Sequence, residues 1–173
     1  MSLMLIKKSD LPQVIIYTDG ACTGNPGPGG YGVILKSGRH RKEISAGYRL
    51  TTNNRMELMA VIAGLEAVKE SCRITLYTDS QYIADSINQR WVYKWREKGW
   101  RRGKKEKAQN VDLWEKILDL LDEHVVEVKW LRGHAGDPEN ERADLLAVQA
   151  SRGPELQIDE YYEKFSARDP SFI

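Results

Sequence analysis

The sequence predicts an α/β fold: a five-stranded mixed sheet, an antiparallel meander followed by two parallel strands, with helices on both faces. Three observations predict it. Hydrophobic spacing changes from the strand period of two to the helical period near Thr51. Two β-branched runs, VIIYT at 14–18 and RITLYT at 73–78, each end on Thr-Asp. The strands after the meander are separated by helical patterns, which implies parallel crossovers. The chain's 173 residues suit one domain with a core of its own.

Each element follows from local pattern. Residues 14–18 are an apolar, β-branched strand closed by Asp19-Gly20. Residues 20–32 hold six of the fourteen glycines and read as a loop. Strands over 31–35 and 42–50 flank a turn near Ser37-Gly38. Leu58, Val61, Ile62, Leu65 and Val68 predict an amphipathic helix over about 54–70. A strand over 73–78 leads into a helix over 81–88. Leu113, Ile117, Leu120 and Leu121 share one face of a helix over 111–124, and a strand follows over 125–131. Asp137-Pro138-Glu139 is a helix start, with a cap, a proline at the first position and an early acid, for a helix ending near 151.

Composition excludes several classes. With 29% charged and 41% hydrophobic residues, the chain is neither disordered nor collagen-like. No apolar run is long enough to span a membrane, and no secretory leader is expected. Two cysteines make neither a disulfide framework nor a zinc site, so a reducing cytoplasm is the expected location. The stretch 27–32 matches G-x-G-x-x-G as text, but it precedes a strand and contains proline, so dinucleotide binding is not expected. The net charge of +1 hides a division. Residues 90–107 carry nine bases and two acids, whereas 108–173 carry seven bases and fifteen acids. The basic segment also holds three of the five tryptophans, a combination suited to phosphate contact and stacking. Its bland alternative is a solvated helix with its tryptophans packed inward.

The chemistry-bearing residues are acidic. If the strands ending in Asp19 and Asp79 are parallel neighbours, their carboxylates lie side by side and call for a cation; hard oxygen ligands favour Mg²⁺ or Mn²⁺. Taken singly, Asp19-Gly20 could be a turn, and Asp79 could cap a helix. Glu57 could complete a capping box with Asn54, and Asp144 could be an exposed helix charge. His134, between Gly133 and Gly136, suits proton transfer, although a loop histidine is commonly inert.

At this point the residues resemble the bacterial type 1 ribonucleases H over roughly 13–153. The matching stretches are YTDGACTGNPGPGGYG (17–32), TTNNRMELMA (51–60), YTDSQYI (77–83), NVDLW (110–114) and RGHAGDPENERAD (132–144). The resemblance implies a ribonuclease H-like fold. It also implies two-metal endonucleolytic cleavage of the RNA strand of an RNA–DNA hybrid, leaving 5′-phosphate and 3′-hydroxyl ends. By the same resemblance Asp19, Glu57, Asp79 and Asp144 would hold two Mg²⁺ ions once substrate is bound, with Mn²⁺ as the alternative, and His134 would assist. Cys22, Asn25, Thr52, Asn53, Asn54 and Gln81 would contact the hybrid. Trp91, Lys94, Lys98, Arg101 and Arg102 belong to a basic protrusion at about 89–108 that would hold the DNA strand. Residues 1–12 form an extension and 154–173 a tail without counterpart, and 88–91 are one residue longer than the common form. A monomer is expected. A related metal nuclease of the same fold, or a hybrid-binding module without activity, remains the alternative.

Overall fold

A computed structural model of the chain describes residues 7–104 and 106–166. The first six residues of the extension, Lys105 of the protrusion and the last seven residues of the tail lie outside it. Three antiparallel strands come first: β1 (Gln13–Cys22), β2 (Gly27–Ser37) and β3 (His40–Thr51). Helix α1 (Asn53–Glu66) crosses to β4 (Arg73–Thr78), which pairs in parallel with β1. Helices α2 (Gln81–Asn88), α3 (Trp91–Glu97) and α4 (Val111–Glu123) lead to β5 (Val125–Trp130), parallel to β4. Helix α5 (Pro138–Ser151) then returns across the sheet.

The sheet has six strands, not five, in the order β5-β4-β1-β2-β3-β6. The extra strand, β6 (Leu156–Gln157), comes from the tail and pairs in parallel with Gly47 and Tyr48 of β3. Two residues carry no readable periodicity, which is why the pattern missed it. The tail also contributes Asp159 and Tyr162 to the interior.

The sheet's two faces are packed differently. Ile16 and Val33 lie on one face beneath α1, which is buried along most of its length between the sheet and α4. Gly64 allows this approach, since a Cβ there would sit 2.8 Å from Ile16 Cγ2. On the other face α5 lies directly on backbone. A Cβ on Gly30, Gly32 or Gly47 would fall 2.4, 2.2 or 2.0 Å from the carbonyls of Ala147, Ala143 and Ala150. The glycine-rich stretch is therefore mostly strand rather than loop: β2 begins at Gly27, and its glycines make room for the small-residue face of α5. Helix α1 starts one residue earlier than its periodicity indicates and stops at Glu66. Its cap is Thr52, whose hydroxyl accepts from the Arg55 N–H, so Asn54 and Glu57 form no capping box.

Candidate active site and metal centre

Strand register brings the acids together. β1 and β4 pair up to Thr18 and Thr78, so Asp19 and Asp79 are the next residues along two adjacent parallel strands. Asp19 is not at a strand end: β1 continues to Cys22 in its hairpin with β2. Asp79 does not cap α2, because Ser80 does so, accepting from the Ile83 N–H. Glu57 arrives from the first turns of α1. Gly20 makes this possible, since a Cβ there would lie 2.5 Å from the Glu57 backbone nitrogen. The Asp-Gly pair that looks like a turn signal is thus a close-packing site. Asp144 arrives from the opposite face, because Gly32 pairs with Asp19 across the strands and Ala143 packs on Gly32.

One carboxylate oxygen from each of Asp19, Glu57 and Asp79 lies within 4.8 Å of the others. Asp19 and Glu57 are buried, and Asp79 is half-buried. At that separation each pair of full charges would repel by roughly 3–4 kcal/mol at an effective dielectric near ~20. Burial, then the Asp79 charge, then proton sharing with Asp144 push the Asp19 carboxyl up to about 8. Burial and the charges of Asp19 and Asp79 raise Glu57 well above the carboxylate range. Burial and Asp144 raise Asp79, against a lowering by His134. Glu57 Oε2 is buried and has no hydrogen-bond partner among the described residues. A cluster of hard oxygens, one of them orphaned, fits a divalent cation.

His134 is exposed and adopts φ +56° in the loop after β5. The loop is anchored where it leaves the sheet. Gly133 packs on Asp79, where a Cβ would fall 2.7 Å from Oδ2, while Gly136 at φ +90° meets nothing within 4 Å.

The expected hybrid-contacting residues fall at the end of β1, in the loop after it and at the starts of α1 and α2. Cys22 ends β1 with its thiol 3.4 Å from the Thr51 carbonyl. The Asn25 side chain accepts from the Asn53 N–H at 2.9 Å, joining the β1–β2 loop to the start of α1. Thr52 is the cap of α1, Asn54 is exposed beside it, and Gln81 is exposed at the first position of α2. Between Arg90 and Lys104 the protrusion is helical only over α3; Arg101 lies beyond that helix and pairs its backbone with Lys107 in an isolated antiparallel bridge. Lys94, Lys98, Arg101 and Arg102 are exposed. The two tryptophans of α3 differ. Trp95 is buried against Tyr82 and Trp114, while Trp91 is exposed.

Sequence reasoning missed Arg55. Its guanidinium is 1% exposed and binds Asp159 and Asp112 bidentately, with Nε 2.7 Å from Asp159 Oδ2 and Nη2 2.7 Å from Asp112 Oδ2. Asp159 also accepts from Thr51 at 2.8 Å. The tail therefore grips the start of α1, two residues from Glu57. The only sequence signal was an arginine just ahead of the apolar run of α1.

Known proteins resemble this chain in sequence and fold. The RNase H family pattern matches residues 12–152. A ribonuclease H of Desulforamulus reducens is 57% identical over 153 residues, covering 88% of this chain and 96% of that protein. One from Syntrophus aciditrophicus is 56% identical over 155 residues, covering 90% of each. Among solved structures, LC9-RNase H1, a type 1 RNase H with the type 2 active-site motif, superposes with a TM-score of 0.75 at 36% identity. It covers 91% of this chain and 82% of that one. LC11-RNase H1, solved in complex with an RNA/DNA hybrid, gives 0.59 at 26% identity, covering 80% and 96%. A carboxylate cluster built by this register, on this sheet and with these relatives, places the chain in the RNase H family, among the bacterial type 1 enzymes.

Proposed function

We propose that this RNase H cuts the RNA strand of RNA–DNA hybrids by two-metal hydrolysis, leaving 5′-phosphate and 3′-hydroxyl ends. The observation that carries this reading is the convergence of Asp19, Glu57 and Asp79 within 4.8 Å, with Asp144 acting on Asp19 and Asp79 from beside them. Bound there, Mg²⁺ would activate the attacking water and stabilise the leaving 3′-oxygen. Asp19, central to the cluster, would be shared between both metal positions. Glu57 and Asp79 would complete the water side, and Asp144 the leaving-group side. His134 would move a proton at the exposed edge beside Asp79. Cys22, Asn25, Thr52, Asn53, Asn54 and Gln81 would feel the hybrid's minor groove, where a 2′-hydroxyl both donates and accepts. Trp91, Lys94, Lys98, Arg101 and Arg102 would hold the DNA strand. All four carboxylates come from one chain, which supports action as a monomer.

The test is cleavage of labelled hybrid, duplex RNA and duplex DNA, with Mg²⁺ and again with EDTA. Mg²⁺-dependent cutting of the hybrid alone, lost in Asp19→Asn while hybrid binding persists, is expected. Wild-type turnover by Asp19→Asn, or cutting in EDTA, would sink the assignment.

A further inference from the structure

Trp130 ends β5, an edge strand of the sheet, and is 49% exposed. Its indole has a defined task. The β4–β5 ladder closes where the Leu131 N–H meets the Thr78 carbonyl at 3.0 Å. The next carbonyl along β4 belongs to Asp79 and lies past the last paired residues. It accepts from the Trp130 indole N–H at 3.0 Å. Three residues later Gly133 packs on the same residue's side chain, against Oδ2. Asp79 thus meets the β5 side at two points: its peptide is bound by Trp130, and its carboxylate lies close against Gly133. Both contacts come from the segment that continues into His134.

We propose that Trp130 is a positioning residue for Asp79: its indole N–H fixes the peptide beyond the end of β4 and so sets where the Asp79 carboxylate meets the divalent cation. This rests on Asp79 being a metal ligand. The N–H of the same peptide, on Ser80, donates to Thr78 Oγ1 at 3.1 Å, so the indole bond is the tie on its carbonyl side; without it the peptide is held at one end, and a rotation there swings the carboxylate away from Asp19 and Glu57. Donors behind a ligand commonly set metal affinity in this way.

The isosteric test replaces Trp130 with 3-benzothienylalanine, which exchanges the indole N–H for sulfur and keeps the ring. Trp130→Phe and Asp79→Asn are made alongside. Mn²⁺ affinity is read by calorimetry or electron paramagnetic resonance in the absence of substrate; kcat and KM for a hybrid and the melting temperature are read in parallel. The expected result for both Trp130 variants is Mn²⁺ binding weaker by about tenfold, the low end for an outer partner of a metal ligand. kcat at fixed metal should fall, partly restored by raising Mn²⁺, with KM for the hybrid and the melting temperature near wild type. Unchanged Mn²⁺ affinity in the benzothienyl protein, with Asp79→Asn weakened, would overturn the positioning role alone. A lower melting temperature at unchanged Mn²⁺ affinity would also overturn it, assigning the bond to general stability. Unchanged affinity in Asp79→Asn would remove Asp79 as a ligand, and the proposal with it.

Discussion

At the scale of single residues, the site stores electrostatic work. Asp19 sits among three other carboxyls, and its pKa rises from 3.8 to about 8. The sign of the stability effect follows. Between pH about 4 and about 8 the folded, metal-free protein keeps a proton that the unfolded chain has released, so stability falls as pH rises through that window. Asp19→Asn should flatten this slope and raise the melting temperature of the metal-free protein at pH 8. For a chain of this size the gain is about 2–4 °C per kcal/mol of relieved repulsion. Thermal melts from pH 5 to 8 in EDTA check it, and a variant that melts lower than wild type at pH 8 would contradict the repulsion argument. Mg²⁺ should stabilise the wild type more at pH 8 than at pH 5, where it competes with protons for the same oxygens. At His134 a smaller effect is expected. His134→Ala should slow turnover without abolishing it, and an unaltered pH–rate profile would remove its proton-transfer role.

At the scale of elements, the carboxylates depend on how closely helices approach the sheet. Gly32 sets the seat of α5, and a methyl there would meet the Ala143 carbonyl at 2.2 Å. Gly32→Ala should lift α5 and Asp144 away from Asp19. It should cost about 1–3 kcal/mol in stability and reduce kcat more than KM. Unfolding in urea and steady-state kinetics check both, and full activity in a folded variant would show that Asp144 does not rely on this seat. The start of α1 is held from the tail. Asp159→Ala would leave the buried Arg55 charge with Asp112 as its remaining acidic partner and should destabilise the protein by about 3–5 kcal/mol, measured by denaturant unfolding. A loss under about 1 kcal/mol would show the pair to be replaceable by water.

At the scale of the whole molecule, charge is segregated. The bases of 90–107 cover an arm beside α2, while the acids that matter lie at the sheet's centre. The arm is fastened by Trp95 against Tyr82 and Trp114, which leaves its described cations in solvent. Neutralising Arg101, Arg102 and Lys104 together should raise KM. It should also reduce the slope of log K against log salt by up to about three, since each cation that pairs with a phosphate contributes about one. Hybrid-binding titrations from low to high salt measure this, and an unchanged slope would reject the arm as the handle. No helix among the described residues is long and apolar enough to cross a membrane.

The sequence by itself determined the strands and helices with strong periodicity, the two Thr-Asp pairs that carry Asp19 and Asp79, and the basic arm, because each is written in neighbouring residues. The β-branched runs at 14–18 and 73–78, the cap and proline at 137–138, and the clustered arginines and lysines need no distant partner to be read. Tertiary structure alone decided three things. It converted the glycine-rich stretch from loop to strand, because only the seating of α5 shows what those missing side chains make room for. It turned part of the tail into a sixth strand and a clamp on Arg55, a contact 104 residues apart in sequence. It also brought three ordinary acids, Asp19, Glu57 and Asp79, within 4.8 Å of one another, with Asp144 acting on Asp19. Whether a carboxylate is a surface charge or a metal ligand depends on its burial and on the charges beside it, and both are properties of the packed fold rather than of any stretch of chain.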